Sequence, residues 1–291
     1  MNNKVGFMQG RLSDQVNNLI QAFPSQNWKQ EFKTAREINI NFMEWTLDYV
    51  NLYVNPIMTR EGRKGIKSLS EKYSILIPSL TADCFMQKPF WKAKNNEMIF
   101  QQKVFKDVSL ASSKLGIKYI IVPLVDNGSI LNKEHENHLI NFLVKNKKFF
   151  EDLNLQILFE SDFTPEKLGE FIRKFPSHIF GINYDTGNSA AAGYDPSEEF
   201  YHYGTFIKNV HIKDRKKNGA TIALEKGDAD FDKVFINLKT ISYEGNFILQ
   251  TARDKDRNHA KAISIYRDFT KNFINKYLCE PNIEKDNKSL F

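Results

Sequence analysis

Short apolar runs alternate with amphipathic stretches along almost the whole chain. The apolar runs predict eight strands, each short enough to be buried inside a sheet. They cover residues 5–9, 41–47, 75–80, 117–122, 156–160, 180–185, 207–211 and 246–250. Apolar residues at helical spacing predict helices over about 27–38, 58–73, 97–115, 134–151, 164–175, 229–241 and 256–278.

This alternation continues without a break in composition, which favours one domain over residues 1–280 and a polar C-terminal tail over 281–291. Repeated strand–helix units of this number predict an α/β fold, a single (β/α)8 TIM barrel. A doubly wound sheet is the alternative. It would carry a glycine-rich phosphate turn after the first strand, but the glycines of GFMQGRL at positions 6 and 10 do not fit GxGxxG.

Composition and charge change this picture little. Of the 291 residues, 41% are apolar and 26% are charged, as in ordinary globular proteins. The net charge of +6 is compatible with a nucleic-acid partner or an anionic substrate. Many lysines fall in mixed-charge stretches, however, so a lysine-rich surface is favoured and no nucleic-acid partner is predicted.

The cysteines and the N-terminal segment bear on location. Cys84 and Cys279 form no CxxC pair and imply no disulfide framework, which suits a reducing cytoplasm. The N-terminus lacks the long apolar core of a signal peptide, and no run approaches the length of a membrane span. We therefore expect a cytoplasmic protein with no membrane partner.

Four polar residues stand at the ends of four successive strands in the second half of the chain. They are Glu160, Asp185, His211 and Gln250. If these strands are parallel neighbours, the four side chains converge at one rim of the barrel, where catalytic groups of such barrels lie. Two carboxylates, an imidazole and an amide form a mixed nitrogen and oxygen site for a divalent metal. The alternatives are a structural salt bridge, a turn anchor and a core histidine.

A second set of residues is cationic and follows strands one, seven and eight, which become neighbours when a barrel closes. It consists of Arg11, Lys213, Arg215 and Arg253. Arginine suits bidentate binding of phosphate or carboxylate, so the set predicts an anionic substrate, with solvated rim charges as the alternative. Aromatic residues near the ends of strands two and three could pack on a sugar ring or belong to the core. These are Trp45, Phe85, Phe90 and Trp91.

Four segments carry a resemblance to a known family. They are GFMQGRLS (6–13), FES (159–161), NYDTGNSAAAGYDP (183–196) and KNVHIKDR (208–215). In their order and placement they resemble the xylose-isomerase-like superfamily of TIM barrels, the sugar isomerase and epimerase group. The resemblance implies one divalent cation, Mn, Mg, Co or Zn, bound by Glu160, Asp185, His211 and the residue at position 250.

One position departs from the family pattern. The family's epimerases use two glutamates on opposite faces of the substrate, and here the second is Gln250. An amide can ligate a metal through its oxygen but cannot exchange protons at neutral pH, so two-base epimerisation by Glu160 and Gln250 is in doubt. Glu44 and Asp83 are candidates for another base. Glu44 and Asn188, the latter at a position where relatives often carry histidine, are expected to bind substrate.

These features together predict a metal-dependent isomerase or epimerase. It would act on a small-molecule sugar, as a phosphate or an acid, by proton transfer beside a metal-polarised carbonyl. An altered member that binds a carbohydrate without turnover is one alternative. A nuclease of the apurinic endonuclease branch is disfavoured because its three-zinc cluster needs more histidines. A homodimer is possible.

Overall fold

The computed structural model describes residues 4–17 and 19–279. Its central element is a closed barrel of eight parallel strands, in the order β1, β10, β7, β6, β5, β4, β3, β2. The barrel strands are β1 (Val5–Met8), β2 (Phe42–Thr46), β3 (Leu76–Thr81), β4 (Tyr119–Leu124), β5 (Gln156–Ser161), β6 (Phe180–Asp185), β7 (Ile207–Ile212) and β10 (Asn246–Leu249). A small antiparallel hairpin, β8 (Asp214–Arg215) and β9 (Thr221–Ile222), lies between β7 and β10. The predicted (β/α)8 barrel is confirmed, while the predicted tail at 281–291 lies outside the described residues.

Helices follow the strands and cover the outside of the barrel. They are α1 (Trp28–Glu37), α2 (Arg60–Tyr73), α3 (Asp83–Gln87), α4 (Asn95–Lys114), α5 (Lys133–Lys145), α6 (Lys147–Asp152), α7 (Pro165–Ile172), α8 (Thr186–Ala192), α9 (Pro196–Tyr203), α10 (Phe231–Thr240) and α11 (His259–Tyr277). In the described part of the chain, no helix combines the length and apolarity that crossing a membrane requires.

The helix predictions fail in three places, one of which is the short α3, where no helix was predicted. The single helix expected over 134–151 is two helices, α5 and α6, which meet at Asn146. The sequence reading also missed α8 and α9 between β6 and β7. Each is short and starts at an aspartate cap, Asp185 or Asp195, so neither offers enough turns for a helical period to be recognised.

The predicted aromatic residues belong to the core. Trp45 and Trp91 are fully buried, and Phe85 and Phe90 are 3% and 1% exposed. Trp45 packs in an edge contact on Trp28, and Phe85 stacks on Phe105 of α4. Burying these large apolar rings stabilises the contact between barrel and helices. Of the two alternatives that the sequence left open for these residues, the structure shows core packing.

Candidate functional site

The four predicted metal ligands lie together at the C-terminal mouth of the barrel. Glu160 is near the end of β5, Asp185 ends β6, His211 is near the end of β7 and Gln250 follows β10. These four strands are consecutive in the barrel, and Asp185 is paired directly with His211. Their convergence follows from the parallel arrangement, because all C-terminal strand ends meet at one rim.

The strongest candidate for a cation site is a buried triad of Glu160, Asp185 and His211. One ligand atom from each residue lies within 4.8 Å of the other two. His211 Nδ1 is 3.2 Å from Oε2 of Glu160 and 3.9 Å from Oδ2 of Asp185. Although it is buried, Nδ1 makes no geometrically sound hydrogen bond among the described residues. A buried nitrogen of this kind, between two carboxylates, is what a metal ligand requires.

Glu44 holds the other side of the imidazole. His211 Nε2 donates to Oε1 of Glu44 over 2.7 Å, and Ser79 and Thr81 donate to the same carboxylate over 2.6 Å. Burial alone would lower the pKa of His211, but Glu44 and Glu160 outweigh it and raise the pKa to about 10. A cation bound at Nδ1 would displace the proton that this nitrogen otherwise carries. The carboxylate of Glu44 thereby orients the ring so that Nδ1 faces the triad, as carboxylates beside metal-binding histidines do.

The expectation that Glu44 contacts substrate is therefore corrected. Its side chain is fully buried and is not part of the cavity wall. All its partners lie within the barrel, including Asn209 of β7, which donates over 3.2 Å. The inward direction of a side chain on β2 places the carboxylate below the mouth, where it reaches His211 and not a ligand.

Glu160 is held by two amides. Asn183 donates to Oε2 over 2.8 Å and Asn188 donates to Oε1 over 2.7 Å. Burial would raise the pKa of Glu160, but His211, Lys213 and Asn183 outweigh it and lower the pKa. The carboxylate is thus kept ionised and fixed in orientation. The sequence reading missed Asn183, although a polar residue inside an apolar strand could have marked it.

Lys213 lies beside the triad. Its ammonium group is 3.2 Å from Oδ2 of Asp185, 3.2 Å from Oε1 of Gln250 and 3.1 Å from Oδ1 of Asn188. Asn188 also accepts from Nη1 of Arg215 over 2.9 Å. One amide therefore links a carboxylate of the triad to two cations. The side chains of Lys213 and Asn188 therefore make their hydrogen bonds to other residues of the site.

Only some of the predicted arginines reach the cavity. Arg11 is 4% exposed and lines it, and its buried Nε has no hydrogen-bond partner among the described residues. Burial and the nearby charge of Arg253 lower the pKa of Arg11 to about 9. Arg215 also lines the cavity, with Nε donating to the carbonyl of Gly219.

Arg253, by contrast, is used within the fold. Its guanidinium donates to the main-chain carbonyls of Gly10, Ser13 and Ile20, and it is not part of the cavity wall. The expectation of substrate contact is corrected: Arg253 fixes the loop after β1. The sequence could not show this, because main-chain carbonyls are acceptors that no motif marks.

A cavity of about 990 Å³ lies at the barrel mouth beside these groups. Its polar wall contains Arg11, Asp83, Glu160, Asp185, Asn188, Lys213, Arg215 and Gln250. On one side it reaches Glu199, which accepts from the hydroxyls of Tyr184 over 2.8 Å, of Tyr203 over 2.6 Å and of Ser189. The wall combines acidic, basic and amide groups, a composition suited to a small ligand rich in hydroxyl groups.

A family profile described as xylose isomerase-like TIM barrel matches residues 32–271. The chain belongs to this family. Among curated proteins, an inosose dehydratase from Clostridium tetani is 24% identical over 158 residues, 46% of this chain and 53% of that protein. An inosose dehydratase from Bacillus thuringiensis is 25% identical over 156 residues, 46% of this chain and 52% of that protein. The chain thus spans about half the length of the curated relatives it matches.

Solved structures of the xylose isomerase-like family show the same fold. A D-psicose 3-epimerase with D-tagatose from Clostridium cellulolyticum superposes with a TM-score of 0.74 at 11% identity, covering 93% of this chain and 99% of the other. The IOLI protein with a bound zinc atom superposes with a TM-score of 0.73 at 17% identity, covering 95% and 100%. At these identities the likeness shows the barrel alone.

Proposed function

We propose that this protein removes a proton from the carbon beside a carbonyl group in a sugar-like, polyhydroxylated substrate, with one divalent cation bound at the triad. The observation that carries the proposal is the buried Nδ1 of His211, which makes no geometrically sound hydrogen bond among the described residues and lies between the carboxylates of Glu160 and Asp185. Glu44 on the far side of the ring supports the same assignment.

The residues present fit a divalent metal. Glu160, Asp185 and His211 would hold it, and the amide oxygen of Gln250 stands at the same rim as a fourth ligand. This donor set suits Mn, Co or Zn, and also Mg. When bound, the cation would polarise the substrate carbonyl and stabilise the negative charge that forms on proton removal. The description of a structural neighbour with bound zinc also supports the proposal.

Glu160 is the group we assign to proton removal. It lines the cavity, its carboxylate is kept ionised, and the amides of Asn183 and Asn188 fix its direction. The residues predicted to bind substrate that remain on the wall are Arg11, Asn188, Lys213 and Arg215. The two arginines would bind a phosphate or carboxylate group of the substrate. All four residues would form hydrogen bonds with its hydroxyl groups.

Gln250 restricts the type of reaction. Because its amide cannot exchange protons at neutral pH, we favour an isomerisation that uses one base over an epimerisation that uses Glu160 and Gln250 as a pair. Dehydration is a second candidate, since it starts with the same proton removal. Two observations favour it: the amide at position 250, and the inosose dehydratases among the curated relatives. A cytoplasmic location, a homodimer and the absence of a nucleic-acid partner stay predictions.

The test is proton exchange in deuterated water. Purified protein, analysed for metal content and supplied with Mn, Co or Zn, is incubated with a panel of ketohexoses, their phosphates and keto-cyclitols. We expect deuterium at the carbon beside the carbonyl of at least one substrate. Glu160→Gln should reduce the rate by about a hundredfold or more in a folded protein, since general bases contribute on that scale.

Asp126→Asn is the matched control, because Asp126 also lines the cavity but takes no part in the triad. It should exchange the proton at the rate of the unchanged protein. Exchange by Glu160→Gln at that same rate would place the base elsewhere. No exchange with any member of the panel would contradict the proposed function and favour a family member that binds its ligand without turnover.

A further inference from the structure

Asp83 is a buried acid of the cavity that the proposed function has not used. It is the first residue of α3, directly beyond the end of β3, and it lines the cavity although it is only 6% exposed. Among the described residues, no side chain or main-chain group donates a hydrogen bond to its carboxyl group. Its carboxyl group is therefore free to meet a ligand.

The order of the barrel strands fixes where Asp83 stands. In the closed ring β3 lies opposite β7, and two strands away from β5. Asp83 therefore faces His211 and Lys213 across the mouth, while Glu160 is on an intermediate strand. A substrate whose carbonyl group is directed to the triad would extend its neighbouring carbons towards Asp83.

The other buried acids of the site are already engaged. Glu44 lies below the mouth with His211, Asp185 accepts from Lys213, and Glu199 accepts from three hydroxyl groups. Asp162, also on the wall, accepts from the hydroxyl of Ser129. This leaves Asp83 as a buried carboxyl group of the wall without such a partner.

We propose that Asp83 is the acid that protonates a departing hydroxyl group, so that the reaction is a dehydration. This inference rests on the proposed function. Glu160 takes the proton from the carbon beside the carbonyl, and the electron pair of that bond forms a double bond to the next carbon. The C–O bond at this next carbon breaks, and the hydroxyl leaves as water with the proton of Asp83. Both carboxyl groups return to their starting states by proton exchange with solvent, and nothing is oxidised or reduced.

The electrostatic surroundings agree with this role. Burial and the charges of Asp48 and Glu160 raise the pKa of Asp83 well above its ordinary value, although His211 and Arg11 oppose them. A raised pKa favours the protonated form of this carboxyl group, which is the form that an acid for a hydroxyl leaving group requires.

The test separates exchange from water loss. Proton exchange beside the carbonyl and formation of the dehydrated product are followed together by NMR, with keto-cyclitols and ketohexoses as substrates and Asp126→Asn as control. Asp83→Asn should lose at least about a hundredfold in dehydration while it retains exchange, because Glu160 is intact. Asp83→Glu should recover part of the dehydration rate. In the free protein, ¹³C NMR of the aspartate carboxyl groups should show one signal that titrates above the ordinary aspartate range and is lost in Asp83→Asn.

Three results would overturn the inference while the proposed function stands. They are dehydration by Asp83→Asn at the normal rate, equal loss of exchange and dehydration in that variant, and exchange by the unchanged protein that yields only isomers. A fourth result, measured in the free protein, would also overturn it: a signal of Asp83 that titrates in the ordinary aspartate range. If the unchanged protein exchanges no proton of any substrate, the proposed function fails and the inference fails with it.

Discussion

Replacing Glu44 by glutamine tests whether a residue that never meets the ligand controls the cation site. The change keeps the shape of the side chain but exchanges one acceptor oxygen for an NH2 donor. In the structure both oxygens accept hydrogen bonds: Oε1 from His211 and Thr81, and Oε2 from Ser79 and Asn209. In either orientation of the new amide, its NH2 group faces groups that donate hydrogen bonds to Glu44 in the unchanged protein.

The size of the effect follows from these contacts. If the NH2 group faces His211, Nε2 must become an acceptor, and the proton then sits on Nδ1, where it blocks metal binding. If it faces Asn209, the contact at 3.2 Å becomes two opposed donors. Losing the charge-assisted bond costs about 1.5–3 kcal/mol. Carboxylate partners of metal-binding histidines are typically worth roughly 10- to 100-fold in metal affinity, which corresponds to the same range of free energy.

Calorimetric titration with manganese or zinc measures the effect, with thermal unfolding as a check that the variant is folded. Ser79→Ala is the matched control, because it removes one donor to Glu44 but leaves the carboxylate and its bond to His211. We expect this control to lose much less affinity, since Thr81 and Asn209 still donate to the carboxylate and its bond to His211 is intact. A folded Glu44→Gln protein with unchanged affinity would refute the reasoning, and so would an equal loss in Ser79→Ala.

Two further predictions concern the same rim. Gln250→Glu should strengthen manganese or zinc binding in the same titration, because a carboxylate is a better ligand than an amide for such metals; equal or weaker binding would mean that position 250 does not ligate. Glu31 is buried, accepts from the N–H groups of Gly10 and Leu12, and has its pKa raised by burial from 4.5 to about 7. Since the folded state holds this proton more tightly than the unfolded state does, the stability it contributes is present below pH 4.5 and is lost as the pH rises to 7. Relative to Glu31→Gln, the protein should lose about 3 kcal/mol of unfolding free energy over this interval in chemical denaturation, and parallel pH curves for the two proteins would contradict this.

The sequence by itself determined the barrel and the place of its site. Apolar runs that alternate with helical stretches specify strands and helices through local periodicity alone, and eight such units predict a closed barrel. Because parallel strands present their C-terminal ends at one rim, the position of Glu160, Asp185 and His211 at strand ends was enough to predict that they meet. Helices as short as α8 and α9 could not be predicted, since they have too few turns to show a helical period.

Only the tertiary structure decided which side chains face the ligand. Glu44 lies within an apolar strand and Asp83 just beyond one, and the sequence offered both as candidate bases. The first points into the barrel to hold His211, whereas the second opens onto the cavity. Arg11 and Arg253 are likewise both cationic residues that follow strands. Arg11 lines the cavity, whereas the guanidinium of Arg253 donates its hydrogen bonds to main-chain carbonyls of the loop after β1. The reason is physical: residue type fixes what a group can bind, whereas its actual partner depends on strand register and on atoms brought together from distant parts of the chain.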